Sequence, residues 1–268
     1  MAIPAENSKQ TNASVIGAAP EGAADRAQAA AKVREMFTAI APRYDVLNHV
    51  LSMQVDRLWW WRTARTFRHI LQRNDATVLD LCCGTGDMTS ALLARARQSD
   101  ATPKIFGADF SHAMLQRATI KSLGRPLRWM EADALNLPLP GGSFDLVTSA
   151  FGFRNLADYD AGLCEIYRVL KPEGEIGILD FGEPKGIVGW FYRLYFRYVL
   201  PAIGTVISGI EGPYRYLPAS VARFPAPEQM LERMRMAGFR EVSWTPYTFG
   251  IAGLYRGKRV DSGSVGIL

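Results

Sequence analysis

The chain has 268 residues, 48% of them hydrophobic, with a formal net charge of +5. That length accommodates one α/β domain with additions, and the composition is ordinary for a globular protein with a full core. The moderately basic balance suits an anionic membrane surface or nucleic acid, but the basic residues are scattered without a stripe, which argues against nucleic acid.

Cys82, Cys83 and Cys164 form no disulfide framework and have no metal-ligand spacing. We expect buried thiols in a reducing compartment. With His49, His69 and His112 alone, a His-based metal site has little material, and no metal is expected. The N-terminus lacks the apolar core of a secretory signal, and no uncharged apolar run is long enough to span a bilayer. The expected location is cytoplasmic.

Residues 1–31 are rich in Ala, Gly, Ser, Asn and Glu, with little to bury, and read as a disordered tail. From Lys32 onward Val33, Met36, Phe37 and Ile40 fall at helical spacing until Pro42 interrupts. Residues 56–71 predict another helix, which carries Trp59-Trp60-Trp61. Three successive aromatics cannot share one helix face. One of them covers a lid, a partner or a lipid, or else they pack as one core Trp with neighbours against the preceding helix. Residues 32–72 are expected to form a cap on a single domain spanning 32–260.

The sequence Val78-Leu-Asp-Leu-Cys-Cys-Gly-Thr-Gly-Asp87 reads as a buried strand (77–82), a glycine turn and a helix (87–97). Gly84 and Gly86 permit a tight turn close to a ligand. A dinucleotide fingerprint would place a third glycine where Thr89 stands. Asp87 would also repel a pyrophosphate, so a cationic, phosphate-free ligand such as S-adenosylmethionine (SAM) fits better. The plain alternative is a tight turn with a helix-capping Asp. The next strand (104–109) ends in Asp109, about 20 residues past the glycines, where a nucleoside-binding βαβ unit keeps its ribose acceptor. Ser111 reads as the N-cap of a helix over 113–121.

A third strand (127–131) leads into Ala132-Asp-Ala134, at the carboxyl end where such sheets bind ligands. Asp133 could accept from an adenine amino group, or simply form a turn. A turn-rich stretch, a fourth strand (146–150), a helix (157–170) ended by Lys171-Pro-Glu-Gly174 and a fifth strand (175–180) follow. The insertion 186–216 is strongly aromatic, with Arg193 and Arg197 one helical turn apart. These arginines suit an interfacial helix rather than a span, or an apolar wall over a cleft. A helix (228–237) and strands over 241–245 and 248–255 close the sheet. Residues 261–268 look frayed. The fold class is α/β: a Rossmann-like, seven-stranded, mostly parallel sheet with helices on both faces, an antiparallel last strand and a helical cap.

Taken together, several stretches in order carry a resemblance: Ala41-Pro-Arg-Tyr-Asp-Val-Leu-Asn48, Leu79-Asp-Leu-Cys-Cys-Gly-Thr-Gly-Asp87, Gly107-Ala-Asp-Phe-Ser111, Ala132-Asp-Ala134, Phe151-Gly-Phe-Arg-Asn155, Arg168-Val-Leu-Lys-Pro172, Tyr214-Arg-Tyr-Leu217 and Thr248-Phe-Gly-Ile251. From about Met36 to Arg256 the chain resembles the ubiquinone/menaquinone biosynthesis C-methyltransferases, of the class I SAM-dependent methyltransferases. The resemblance implies SAM as co-substrate, with contacts from Asp80, Gly84, Thr85, Gly86, Asp109, Phe110, Asp133 and Ala134. Where the family often has a serine before Phe151, this chain has Ala150, with Ser149 one place earlier.

The implied reaction methylates a ring carbon of a polyprenylated quinol, which becomes nucleophilic when the adjacent hydroxyl is deprotonated. Demethylmenaquinol is the favoured acceptor, and a ubiquinone-precursor benzoquinol the alternative. Arg154 is expected to stabilise the phenolate, Asn155 to orient the ring, and Asp45 or Tyr44 from the cap to help remove the proton. Plain structural roles remain open: an ion pair for Arg154 and a helix N-cap for Asp45. From another class, a non-catalytic SAM- or lipid-binding scaffold stands as the rival. Peripheral contact with membrane lipid is expected, at the inner face of the cell membrane, and an oligomer is allowed.

Overall fold

The computed structural model describes residues 17–18, 20–43, 54–184, 186, 189–190, 194 and 212–260. Its strands are β1 (Thr77–Leu81), β2 (Lys104–Asp109), β3 (Leu127–Glu131), β4 (Phe144–Ala150), β5 (Leu170–Phe181), β6 (Phe239–Tyr247) and β7 (Ala252–Arg259). Its helices are α1 (Arg26–Ile40), α2 (Val55–Thr66), α3 (Arg68–Leu71), α4 (Asp87–Arg97), α5 (His112–Lys121), α6 (Tyr159–Val169), α7 (Gly212–Arg223) and α8 (Pro227–Met236).

Alternation along β1 explains why the sheet lies in the middle. Val78 packs on one face with Leu92 of α4, Phe67 and Leu71. Leu79 and Leu81 pack on the other with Leu163 and Ile166 of α6 and with Met230 and Met234 of α8. Successive side chains of a strand point to opposite faces, so both faces of this run are covered. The strands form one seven-stranded sheet in the order β3-β2-β1-β4-β5-β7-β6. β1 to β5 pair in parallel, whereas β7 runs antiparallel to both β5 and β6. This is the expected sheet. The chain leaves β1 toward β2 on one side and later fills the other side with β4. The switch point between β1 and β4 is where such sheets open a crevice at their carboxyl ends.

Four boundaries correct the sequence reading. First, order begins before Lys32: α1 starts at Arg26, with the Asp25 carboxylate accepting from the Gln28 N–H. Ahead of it, the Ala18 N–H donates to the Leu156 carbonyl at 2.7 Å, and Arg26 pairs with Asp158 at 2.6 Å. Second, the helix expected over 56–71 is broken at Phe67. Phe67 is buried where Gly177 of β5 leaves room: a Cβ at 177 would stand 2.5 Å from the ring. Third, 248–250 is a turn rather than strand, with left-handed φ at Thr248 and Phe249 (45° and 58°). Fourth, Cys82 and Cys83 follow β1 instead of lying in it, and Cys164 is exposed.

Most of the insertion 186–216 lies outside the described residues, Arg193 and Arg197 included, as does 261–268. Among the described residues no helix is long and apolar enough to cross a membrane.

Candidate active site

At the switch point a cavity of about 730 Å³, open mouth included, is lined by the carboxyl ends of β1, β2 and β4 and by the loop after β3. Leu81, Cys82 and Gly84 come from β1 and its turn, Asp109 and Phe110 from the end of β2, and Asp133 and Ala134 from the loop. Ala150, Phe151, Gly152 and Asn155 follow β4, and Ala30 and Phe37 of α1 close one side.

Asp109 is the best-anchored polar group there. Its carboxylate accepts the Gly84 N–H at 2.8 Å and the Ser111 N–H at 2.9 Å. Burial pushes it up to about 6, against the pull of these N–H groups and of Arg34. At neutral pH it is therefore ionised, with lone pairs left for ligand hydroxyls. Asp133 turns one oxygen onto the Leu135 N–H at 2.9 Å. Among the described residues the lining carries two carboxylates and no Lys or Arg. That donor set rejects a pyrophosphate and fits a cationic nucleoside with ribose hydroxyls, as SAM is. Asp109 would hold the ribose, Asp133 and Ala134 would lie toward the base, and Gly84 would give the ligand backbone clearance. Among the described residues no group of three or more His, Cys, Asp and Glu could hold a metal ion.

Asp80, Thr85 and Gly86 do not line this cavity. Asp80 is buried under the turn, accepting from Thr89 at 2.5 Å and from Thr148, its register neighbour on β4, at 2.9 Å. The Thr85 hydroxyl lies against Asp87 and accepts from Lys121 Nζ at 3.1 Å. Lys121 also pairs with Asp87 at 2.8 Å. The Asp87 charge is thereby offset, and the case against a pyrophosphate rests on the lining carboxylates. Burial raises the Cys82 and Cys83 thiols well above their ordinary range, so neither serves as a thiolate nucleophile.

Arg154 and Asn155 both follow β4, but only Asn155 lines the cavity. The Arg154 guanidinium donates to Asp180 at 2.9 Å and to the Phe151 carbonyl, and the Arg154 N–H donates to the other Asp180 oxygen at 3.1 Å. The arginine expected to face a phenolate is thus the buried partner of Asp180. Burial is the largest influence on Asp180 and raises it, while Arg154 opposes that rise. Asn155 donates to the Phe151 carbonyl and accepts from Tyr216. Tyr44 and Asp45 lie outside the described residues. Sequence reasoning did not reach Phe37, Met114, Leu135 and Leu156 as lining residues. They are apolar and indistinguishable in sequence from core positions.

The ubiE/COQ5 methyltransferase family matches residues 25–259. A demethylmenaquinone methyltransferase of Deinococcus radiodurans is 48% identical over 88% of this chain and 94% of its own length. One from Thermus thermophilus is also 48% identical, over 84% of this chain and all of its own. The ubiquinone/menaquinone biosynthesis C-methyltransferase UbiE of Geobacter sulfurreducens is 41% identical over 85% of this chain and 88% of its own. Among solved structures, a SAM-dependent methyltransferase of Thermotoga maritima, a possible histamine N-methyltransferase, superposes with a TM-score of 0.60 at 20% identity, over 85% of this chain and 99% of its own. The [4+2]-cyclase SpnF superposes at 0.63 with 18% identity, over 92% and 99%, so this likeness speaks for the fold and not for the reaction. Matched along nearly all of its described length, the chain belongs to the ubiE/COQ5 methyltransferase family.

Proposed function

We propose that the protein is a SAM-dependent C-methyltransferase that converts demethylmenaquinol, a polyprenylated quinol, to menaquinol. The observation that carries this reading is the 48% identity, along nearly the whole of both chains, to two demethylmenaquinone methyltransferases. The cavity supports it: among the described residues its lining has two carboxylates, no Lys or Arg, and apolar walls from Phe37, Phe110, Phe151 and Leu156. When bound, SAM supplies an electrophilic methyl group on sulfur. Asp109 accepts from the ribose, and Asp133 with Ala134 faces the base. Asn155 meets the acceptor ring, Arg154 holds the loop that carries Asn155, and the apolar walls exclude water from the acceptor. Asp45 or Tyr44 remains the proposed proton acceptor. Bringing two partners together in reactive geometry can lower a barrier by several kcal/mol.

Peripheral contact with an anionic lipid surface belongs to the same reading. Trp59, which packs tilted against Phe151 and edge-on to Phe181 at the carboxyl ends of β4 and β5, donates to Thr248 at 2.8 Å. On α2 and on the turn it meets, Leu58, Trp61 and Phe249 are exposed large hydrophobic residues, and Arg57, Arg65 and Arg68 are exposed on the same helical stretch. Aromatics with arginines and no exposed acid on α2 suit a headgroup layer.

The test is methyl transfer from labelled SAM to chemically reduced demethylmenaquinone in detergent, beside a reduced demethyl benzoquinone. Label in menaquinone is expected. The family name of the Geobacter relative covers both quinones, so label in both products would broaden the acceptor. Label in neither, with SAM bound, would sink the reading in favour of a scaffold.

A further inference from the structure

Tyr214-Arg-Tyr-Leu217 is among the stretches that carry the family likeness, and the reaction outlined above gives it no part. Tyr216, in α7, is partly buried and reaches the short turn Phe153–Asn155. Its hydroxyl donates to Asn155 Oδ1 at 3.1 Å. On the other side of the amide, Asn155 Nδ2 donates to the Phe151 carbonyl at 3.4 Å. A backbone carbonyl only accepts, so the amide nitrogen must face Phe151 and the amide oxygen must face Tyr216. The phenol stays a donor, because burial pushes it up to about 12. The Phe151 carbonyl is fixed in turn, since Arg154, itself tied to Asp180, also donates to it. One N–H of Asn155 is then left over on a residue that lines the cavity.

We propose that Tyr216 is a positioning residue that locks the Asn155 amide with this remaining N–H toward the cavity, where it donates to an oxygen of the acceptor ring. This rests on the methyltransferase reading and deepens it. The orientation matters because the two ends of an amide favour opposite protonation states. An N–H donor stabilises an oxyanion, whereas an amide oxygen in the same place accepts from a hydroxyl and keeps its proton on. With Tyr216 in place the site favours the phenolate, whose ring carbon is the nucleophile. With the phenol gone, the Phe151 contact alone holds the amide, and it can swing.

The test compares the parent protein with Tyr216→Phe, Asn155→Ala and the double variant, using labelled SAM and reduced demethylmenaquinone in detergent. Tyr216→Phe should lower kcat about tenfold, the loss of one oriented hydrogen bond, with little change in KM or SAM affinity. The rising limb of its pH–rate profile should move to higher pH, because the phenolate is less favoured. The double variant should be no slower than Asn155→Ala, since the phenol acts through the amide. A separate readout needs no substrate: the Asn155 side-chain amide resonances, assigned by their loss in Asn155→Ala, should shift and exchange faster with solvent in Tyr216→Phe. Unchanged resonances, a pH profile that stays put, or losses that multiply in the double variant would each overturn the proposal. A parent protein without turnover would instead remove the methyltransferase reading, and this inference with it, whatever the resonances showed.

Discussion

Asp80 holds a buried carboxyl whose described partners are the hydroxyls of Thr89 and Thr148 and the Thr89 N–H, not a cation. Burial therefore dominates and pushes it up to about 7. Between the ordinary carboxylate range and pH 7 the folded protein holds a proton on Asp80 that the unfolded chain releases. By linkage, the contribution of this group to stability is fully present at low pH and is lost as pH rises through about 7. Asp80→Asn keeps the shape and removes the charge. In chemical denaturation between pH 5 and 8, the variant should lose a few kcal/mol less than the parent as pH rises. Parallel curves for the two proteins would refute this. The same residue shows what spacing can and cannot tell. Asp80, Thr85 and Arg154 stand in stretches that mark the family, so the sequence points to all three as site residues. Their side chains turn instead to Thr89 and Thr148, to Asp87 and Lys121, and to Asp180. Which way a side chain points depends on partners as many as 68 residues away, as for Thr148 and Asp80, and no local pattern carries that information. Asp109, Asp133 and Asn155 come from the same kind of reading and do line the cavity.

The glycine turn behaves as part of a packing unit with β3. Gly86 has φ +84°, and a Cβ there would stand 2.4 Å from the Trp129 ring, which also covers Gly107 of β2. Trp129 is held by its own N–H on Ser122 at 3.0 Å, so it cannot easily yield. Gly86→Ala should cost roughly 2–4 kcal/mol, combining left-handed strain with the clash. Adding Trp129→Leu should recover only the clash component in thermal unfolding. Full recovery would mean that the conformation costs nothing, and no recovery that the ring is not the obstacle. At this scale the strands were legible because buried parallel strands are short apolar runs bounded by turns. The start of α1 was not, because Arg26-Ala-Gln-Ala-Ala-Ala31 has helix-forming alanines but no apolar period. The break at Phe67 was invisible too, because its cause is the space left by Gly177 on a distant strand.

At the edge where the turn 248–250 meets α2 through Trp59, large hydrophobic side chains are left exposed. Phe249 is 81% exposed, and Leu58 and Trp61 are 49% and 46% exposed. Phe249 sits in a turn whose Thr248 and Phe249 both adopt left-handed backbone, a conformation that costs non-glycine residues about 1–3 kcal/mol each. The turn is held by Trp59, whose indole bonds Thr248 and whose ring packs on Phe151 of the cavity lining. Strain maintained in order to present a phenyl ring to water is unfavourable in solution and understandable at a lipid headgroup layer. Docked by this edge, the protein would bring the carboxyl ends of β4 and β5, and the cavity beside them, toward the membrane that holds a polyprenylated acceptor. Glu183, exposed close to the turn, opposes an anionic surface and sets a limit on how much the arginines contribute. The protein should sediment with vesicles containing phosphatidylglycerol and much less with pure phosphatidylcholine, with binding reduced by high salt. Phe249→Ser with Trp61→Ala should weaken binding roughly 10- to 100-fold, the loss of two buried aromatic side chains. Methyl transfer to quinol embedded in such vesicles should then fall further than transfer in detergent. Equal sedimentation of parent and variant would move the lipid contact away from this edge, and an equal loss of turnover in both media would assign these residues to the fold of the site rather than to the membrane.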